Sequence, residues 1–432
     1  MYKAIFHYHP VGQGCFYTGQ IMAERHSLFN FVYDCGTNSE QDYLNEAIDS
    51  WPVKKMRHGR IHVCMISHFH HDHVSGIPRL LKGTRCDRLV IPYYEMIERL
   101  VIYLRSGSSD EDYRRMMEDP YTYFSGEEFD IGEIIVVGGG PENRVVESGR
   151  PIAPGPGSQS ADREQLNFGK QETYTDDWQD EDINLDFYQQ IKTHNPDADL
   201  GKVSVKTIPY QMRTPLYKFV FYVRTMEGGS DTDARLKIEQ LKKQINAYYY
   251  GQLKDPKSTV KEFKDLFGAV HIKEITRIYG SVFGGTGKLN GTSLAVFHQS
   301  TLSPEGYIPF QFMLNRFPRL RLQRNEHGSL MTGDLDLETK EKLELFQDYY
   351  QHYLQDVGYF QVMHHGSDRN WPFGVPASKL HTFPAYVINH GAGRAHHPGK
   401  EVGKLLHRHR PHHVFLNNEF TPLTYGYYFR LR

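Results

Sequence analysis

The sequence predicts an α/β layered domain, and three observations predict it. Strand, helix and strand follow one another within residues 1–75, a second strand and helix series returns from about residue 293, and histidines and aspartates cluster where strands of both series end.

The chain has 432 residues, 39% hydrophobic and 24% charged, enough to bury a large core and too apolar for overall disorder. Fifty Lys plus Arg against 52 Asp plus Glu leave a formal charge of −2, which excludes a polycation that coats nucleic acid or an anionic membrane. No run approaches the roughly 18 apolar residues of a membrane span. The start, Met1 to His7, lacks a signal-peptide apolar core, so no membrane contact and a cytoplasmic location are expected. Cys15, Cys35, Cys64 and Cys86 are too far apart for a Cys-x-x-Cys pair, and three lie in apolar strand-like runs; they read as reduced core thiols. The outlying number is 24 histidines, so their clustering decides the reading.

Strands are expected at Ala4 to His9, Phe16 to Met22 and Ser27 to Tyr33, with the Gly12-Gln13-Gly14 turn between the first two and Asp34-Cys35-Gly36 closing the third. Gln41 to Trp51 is a helix candidate, and Ile61 to Ile66 is a buried strand running into Ser67-His68-Phe69-His70-His71-Asp72-His73. A helix from Gly76 to Leu81 and a strand from Arg88 to Pro92 follow, and beyond them the pattern thins. Residues 148–202 are rich in Gly, Pro, Ser, Gln and Asp and read as an exposed acidic loop. Apolar spacing at Leu236, Ile238, Leu241, Ile245 and at Val260, Phe263, Leu266, Phe267, Val270 predicts a helical part over about 233–280, packed on the body. Strands return at Ser293 to Phe297, Ser329 to Met331, Gly358 to Met363 and Ala385 to Asn389, with helices at Glu338 to Leu354 and Gly399 to His407.

The strongest chemical feature is His68-x-His70-x-Asp72-His73 directly after a buried strand. Four ligand-type side chains on an irregular strand end can point in different directions and serve two metal ions about 3.5–4 Å apart. Asp334, after Thr332 and Gly333, offers a carboxylate that could bridge both ions, and His364-His365-Gly366 ends another strand. Strand alternation lets one of His364 and His365 face the metals and leaves the other to pack or hydrogen-bond. A Gly-Asp after a strand is on its own a turn; in this order after the first motif the set is specific.

With these residues in place, the sequence resembles the metallo-β-lactamase fold, and within it the hydrolase domain of the competence protein ComEC and its stand-alone relatives. The matches are Val11-Gly12-Gln13-Gly14, Asp34-Cys35-Gly36, the His68 to His73 motif, Asn290-Gly291-Thr292-Ser293-Leu294, Thr332-Gly333-Asp334, His364-His365-Gly366-Ser367 and His397-Pro398. The resemblance covers about residues 1–92 and 289–432 and implies that these form one hydrolase domain, a four-layer αββα sandwich, with 93–288 as a large insertion.

What the resemblance implies about chemistry is concrete. Two divalent ions, Zn²⁺ or Mn²⁺, would be held by His68, His70, Asp72, His73, Asp334 and His364 or His365, and a hydroxide between them would attack the substrate. Asp72 would bind the second ion and orient the hydroxide, His397 would join it as a catalytic group, and Asn290, Ser293, Ser367 and Arg394 would meet substrate. Two departures stand out. Pro10 and Cys15 replace acids that flank the Gly-Gln-Gly turn, and the position of a third histidine for the first ion is taken by the Asn290 segment. The first site is then expected to hold His68, His70, Asp334 and water or Asn290, an oxygen-richer set that suits Mn²⁺, with His298 as the alternative third ligand.

From Arg394 to Arg432 there are seven Lys or Arg against Glu401 and Glu419, a basic segment suited to a phosphate-bearing substrate, single-stranded nucleic acid or a nucleotide. The expected activity is that of a phosphodiesterase or nuclease. An ester, thioester or lactam hydrolase on the same centre is the alternative, and an effector subunit that binds a partner protein through the insertion is a third reading.

Overall fold

The structure is a computed structural model. It describes most of residues 2–138, 200–223, 269–283, 293–308, 326–373 and 380–429, with part of 236–248. The acidic stretch 148–199, most of the second helix candidate (260–268) and Asn290 lie outside the described residues.

Sixteen strands are present among the described residues: β1 (Tyr2–Tyr8), β2 (Gly14–Ala23), β3 (His26–Thr37), β4 (Arg60–Met65), β5 (Arg85–Pro92), β6 (Ile131–Gly138), β7 (Val203–Thr207), β8 (Tyr210–Arg213), β9 (Tyr217–Tyr222), β10 (Ala295–Ser300), β11 (Gly306–Ile308), β12 (Gly328–Met331), β13 (Val357–Gln361), β14 (Ala385–Asn389), β15 (Val414–Asn417) and β16 (Leu423–Phe429). They form two mixed sheets, in the orders β11-β16-β1-β2-β3-β4-β5-β6-β7 and β15-β14-β13-β12-β10-β9-β8. Strands β3 to β7 run parallel, as do β12 to β15, so each sheet sends several carboxyl ends to one edge.

Alternation along the strands sorts the buried apolar side chains into three cores. Phe31 and Tyr33 of β3 meet Val296 of β10 and Val387 of β14 in the layer between the sheets. Val32 turns the other way, onto the helix Gln41–Ser50, which buries Leu44, Ala47 and Ile48 at helical spacing. On the far side, Phe297 and Ile388 pack under the helices Lys340–Tyr350 and Lys400–His409, which contribute Leu343, Phe346, Val402 and Leu406. Helix, sheet, sheet, helix is therefore the order of layers.

The sequence pattern thins after Pro92, yet three helices follow there, Met96–Ser106, Glu111–Glu118 and Pro120–Ser125. Their start signals are local: Asp110 accepts from the backbone N–H of Asp112 at 2.9 Å, and Asp119 precedes Pro120 and accepts from Thr122. The buried Arg99 guanidinium donates to the carbonyls of Tyr94, Met117 and Glu118, neutralising a helix C-terminus inside the protein. Within 93–288, β6 and β7 extend the first sheet, β8 and β9 the second, and Ile275, Ile278, Tyr279 and Val282 of the helix Ala269–Phe283 enter the first core.

His298 does not end its strand. β10 runs on to Ser300, and alternation directs His298 between the sheets, where the hydroxyls of Tyr17 and Tyr217 meet Nε2 and Nδ1 at 3.0 and 2.7 Å. Both ring nitrogens are thus occupied inside the core, which corrects the expectation of a metal-ligating His298. Tyr217→Phe is expected to destabilise the protein by about 1–3 kcal/mol in urea unfolding, because it leaves a buried nitrogen unpartnered. Its metal content should equal that of the wild type.

Candidate metal centre

The carboxyl ends of β3, β4, β12, β13 and β14 converge on one point, the Asp334 carboxylate. Asp334 follows β12 in a turn where Gly333 has φ +52°, and a Cβ on Gly333 would stand 2.8 Å from Ser67 Cβ, so only glycine lets this turn lie against the β4 end. The amide of Gln361 accepts from the backbone N–H groups of Thr332 and Gly333, and Ser293 Oγ accepts from that of Asp334 at 3.1 Å. The carboxylate is thereby aimed before any ligand is considered.

Its two oxygens face different partners. Oδ2 lies 3.5 Å from His68 Nε2, 3.9 Å from His70 Nδ1 and 3.6 Å from His364 Nε2. Oδ1 lies 3.2 Å from His73 Nε2 and 3.7 Å from His365 Nε2, and His365 Nε2 is also 3.2 Å from Asp72 Oδ2. Two groups of side chains thus meet at one carboxylate: His68, His70 and His364 on the Oδ2 side, His73 and His365, with Asp72 beside it, on the Oδ1 side.

Both His364 and His365 reach the centre because the strand has already ended. His364, His365 and Gly366 have φ of +47°, +53° and +76°, a left-handed turn to which strand alternation does not apply. Where one of the pair was expected to turn to the centre, both do, with Nε2 at 3.6 Å (His364) and 3.7 Å (His365) from the Asp334 carboxylate.

The outer nitrogens fix which atom each ring presents. Asp34, fully buried, accepts from the Ser67 N–H (2.6 Å), the Ser67 hydroxyl (2.7 Å) and His73 Nδ1–H (2.8 Å). Since the Ser67 proton is committed to Asp34, its oxygen accepts from His68 Nδ1–H at 2.9 Å. His365 Nδ1–H donates to the Asn389 carbonyl at 3.0 Å, and His364 Nδ1–H to Asn370 Oδ1 at 2.8 Å. Four rings therefore turn Nε2 inward. A Cβ on Gly36, just past Asp34, would lie 2.6 Å from backbone atoms of Asp72 and His73, so this close approach also demands glycine.

The fit to a metal shows in what these atoms lack. His68 Nε2, His73 Nε2 and Asp334 Oδ1 are buried and have no hydrogen-bond partner, a costly state for polar atoms that a cation between them relieves. The donor triads His68–His73–Asp334 and Asp72–His73–His365 each fall within 4.8 Å, close enough to surround an ion. Burial lowers the His68 imidazole to about 3, the neutral form that can ligate. Burial would lower His73 too, but Asp334 and Asp34 hold it well above its ordinary value: the field there calls for positive charge. Burial works to raise Asp334, and the surrounding His364, His73, His68 and His365 hold it well below the usual carboxylate range.

The remaining expected site residues are placed unevenly. Ser293 is completely buried and orients Asp334 instead of meeting substrate, which corrects that expectation. Ser367 is 8% exposed and its hydroxyl accepts from the Arg369 N–H within the turn. Arg394 lies on the exposed loop after β14 and donates to the Asn38 carbonyl. His397, half-buried on the same loop, stands 5.4 and 5.6 Å, ring centre to ring centre, from His364 and His365, and burial lowers it to about 4. Asp34, Asn370, Asn389 and Gln361 were not foreseen as site residues; Asp34 alone left a local mark, an Asp-x-Gly at a strand end.

Two facing mixed sheets, helices on both outer faces and a His/Asp centre at the carboxyl ends define a metallo-β-lactamase type of sandwich. No protein-family model matches the sequence, and no curated protein matches it. Among solved structures, the long form of RNase Z from yeast matches at 10% identity over 90% of this chain, with a TM-score of 0.33. The chain spans 37% of that protein's length.

Asp34→Ala is expected to weaken metal affinity about 10- to 100-fold, because His73 loses the acceptor that orients it. Competition with a chromogenic chelator measures this directly.

Proposed function

We propose that the protein is a binuclear metal-dependent phosphodiesterase or nuclease. The single observation that carries the reading is the division of the Asp334 carboxylate between two sets of inward-turned imidazoles, three around one oxygen and two around the other. A carboxylate shared in this way suits a pair of divalent ions, Zn²⁺ or Mn²⁺.

When bound, such ions bring the pKa of a water toward neutrality and polarise a phosphoryl oxygen. The chain's own residues do the rest. Asp34, Ser67, Asn370 and the Asn389 carbonyl hold the imidazoles in ligating tautomers, so no reorganisation is needed when charge develops. Asp72, held below the usual carboxylate range by His365 and His73 against its burial, stays an acceptor and can orient an attacking water. His397 offers a donor beside the His364 and His365 rings, and Arg394 adds positive charge to the same loop, which favours an anionic substrate over a neutral ester. The predominantly nitrogen donor set, five imidazoles with two carboxylates, favours Zn²⁺ more than the oxygen-richer set read from sequence.

With added Zn²⁺ or Mn²⁺, the protein should cleave single-stranded DNA or a bis(p-nitrophenyl) phosphate reporter, and leave carboxyl-ester reporters intact. Asp72→Ala and Asp334→Ala should each lower kcat by about 10³-fold or more. Equal rates in wild type and variants, or turnover of esters alone, would refute the assignment. His364→Ala should reduce bound metal from two ions per chain toward one, as read by elemental analysis after dialysis.

A further inference from the structure

The Gly12-Gln13-Gly14 turn holds none of the candidate ligands, yet Gln13 is buried and all four of its polar atoms are engaged. Its backbone N–H donates to Ser39 Oγ at 3.0 Å and its carbonyl accepts from the Asn38 N–H at 2.6 Å. Side-chain Oε1 accepts from the Gly391 N–H at 3.1 Å, and Nε2 stands 3.0 Å from His397 Nδ1. Ser39 is in turn tied to Glu419, whose second oxygen accepts from the Ala392 N–H, so the turn and the 391–397 loop are fastened together.

The chemistry of these partners leaves one arrangement. A backbone N–H only donates, so the amide atom facing Gly391 is the oxygen and the atom facing His397 is the NH₂ group. An NH₂ group only donates, so His397 Nδ1 accepts. A neutral imidazole that accepts at Nδ1 carries its proton on Nε2. Among the described residues Gln13 is the one hydrogen-bond partner of that ring, which packs against the ligand imidazoles of His364 and His365.

We propose that Gln13 is a positioning residue that fixes His397 as an Nε2–H donor toward a phosphoryl oxygen of the substrate. The identity of the acceptor rests on the phosphodiesterase reading; the tautomer does not. Such an imidazole gives a hydrogen bond and keeps its proton, so it stabilises charge on the oxygen and leaves protonation of the departing alcohol to another group. A glutamate at position 13 would invert the arrangement, since a carboxylate accepts and would draw a proton onto Nδ1.

Two measurements test this. In long-range ¹H–¹⁵N spectra of the full chain loaded with Zn²⁺, with the His397 signals assigned by their loss in His397→Gln, Nδ1 should be unprotonated and Nε2 protonated. Gln13→Glu should protonate Nδ1. An Nδ1–H in the wild type, or no change in Gln13→Glu, overturns the proposal. On the phosphodiester reporter, Gln13→Met should lower kcat about tenfold with KM nearly unchanged, and cost nothing further in the His397→Gln background. Equal losses in both backgrounds would mean that Gln13 serves only the fold, and would overturn it. A wild type that turns over no phosphodiester would sink the functional reading and the phosphoryl acceptor, while the spectra still decide the tautomer.

Discussion

A carboxylate that faces five imidazoles in a buried cleft is an electrostatic commitment, and the arrangement of both sheets follows from meeting it. Taking Asp334 out of water carries a penalty of several kcal/mol. The surroundings offset it in two ways: the Gln361 amide oxygen and the Ser293 hydroxyl accept from the backbone N–H groups of the turn and so fix it, and positive charge is drawn to the ring side. The strands that carry these groups are consecutive neighbours in their sheets, β12 beside β13 and β3 beside β4, so the polar centre is held from both layers at once.

A second support comes from the network between the layers. Cys15, which stands where the resemblance leads one to expect an acid, accepts hydrogen bonds from the amides of Gln361 and Asn389 at 3.4 and 3.6 Å. Gln361 steadies the Asp334 turn and the Asn389 carbonyl steadies His365, so one sulfur acceptor touches both arms of the site. The thiol is buried and burial pushes it well above its ordinary value, so it serves as a neutral acceptor.

Much of this was legible in the sequence, for reasons that are local. His68, His70, Asp72 and His73 fall within one stretch of six residues just after a strand, and Asp334 follows two small residues, so spacing alone marks them. What was not legible depends on backbone geometry or on distant partners. The turn that aims both His364 and His365 inward exists only in its positive φ values, which no residue type but Gly366 announces. His298 stood as an alternative ligand because the strand was read three residues short; with β10 ending at Ser300, the same residue belongs to the interior. The helices Glu111–Glu118 and Pro120–Ser125 carried a start signal in their caps, Asp110 and Asp119-Pro120.

The pairing of β1 with β16, Tyr2 opposite Phe429, has a kinetic side. It brings the two ends of the described chain together, and with them Gln13 to His397 across 384 residues of sequence and Ser39 to Glu419 across 380. Contacts so remote are slow to close and come after local helices and hairpins in folding. His68, His70, Asp72 and His73 need no such closure to be neighbours, being on one short stretch of chain, whereas the Gln13–His397 contact exists only once the two ends of the described chain have met.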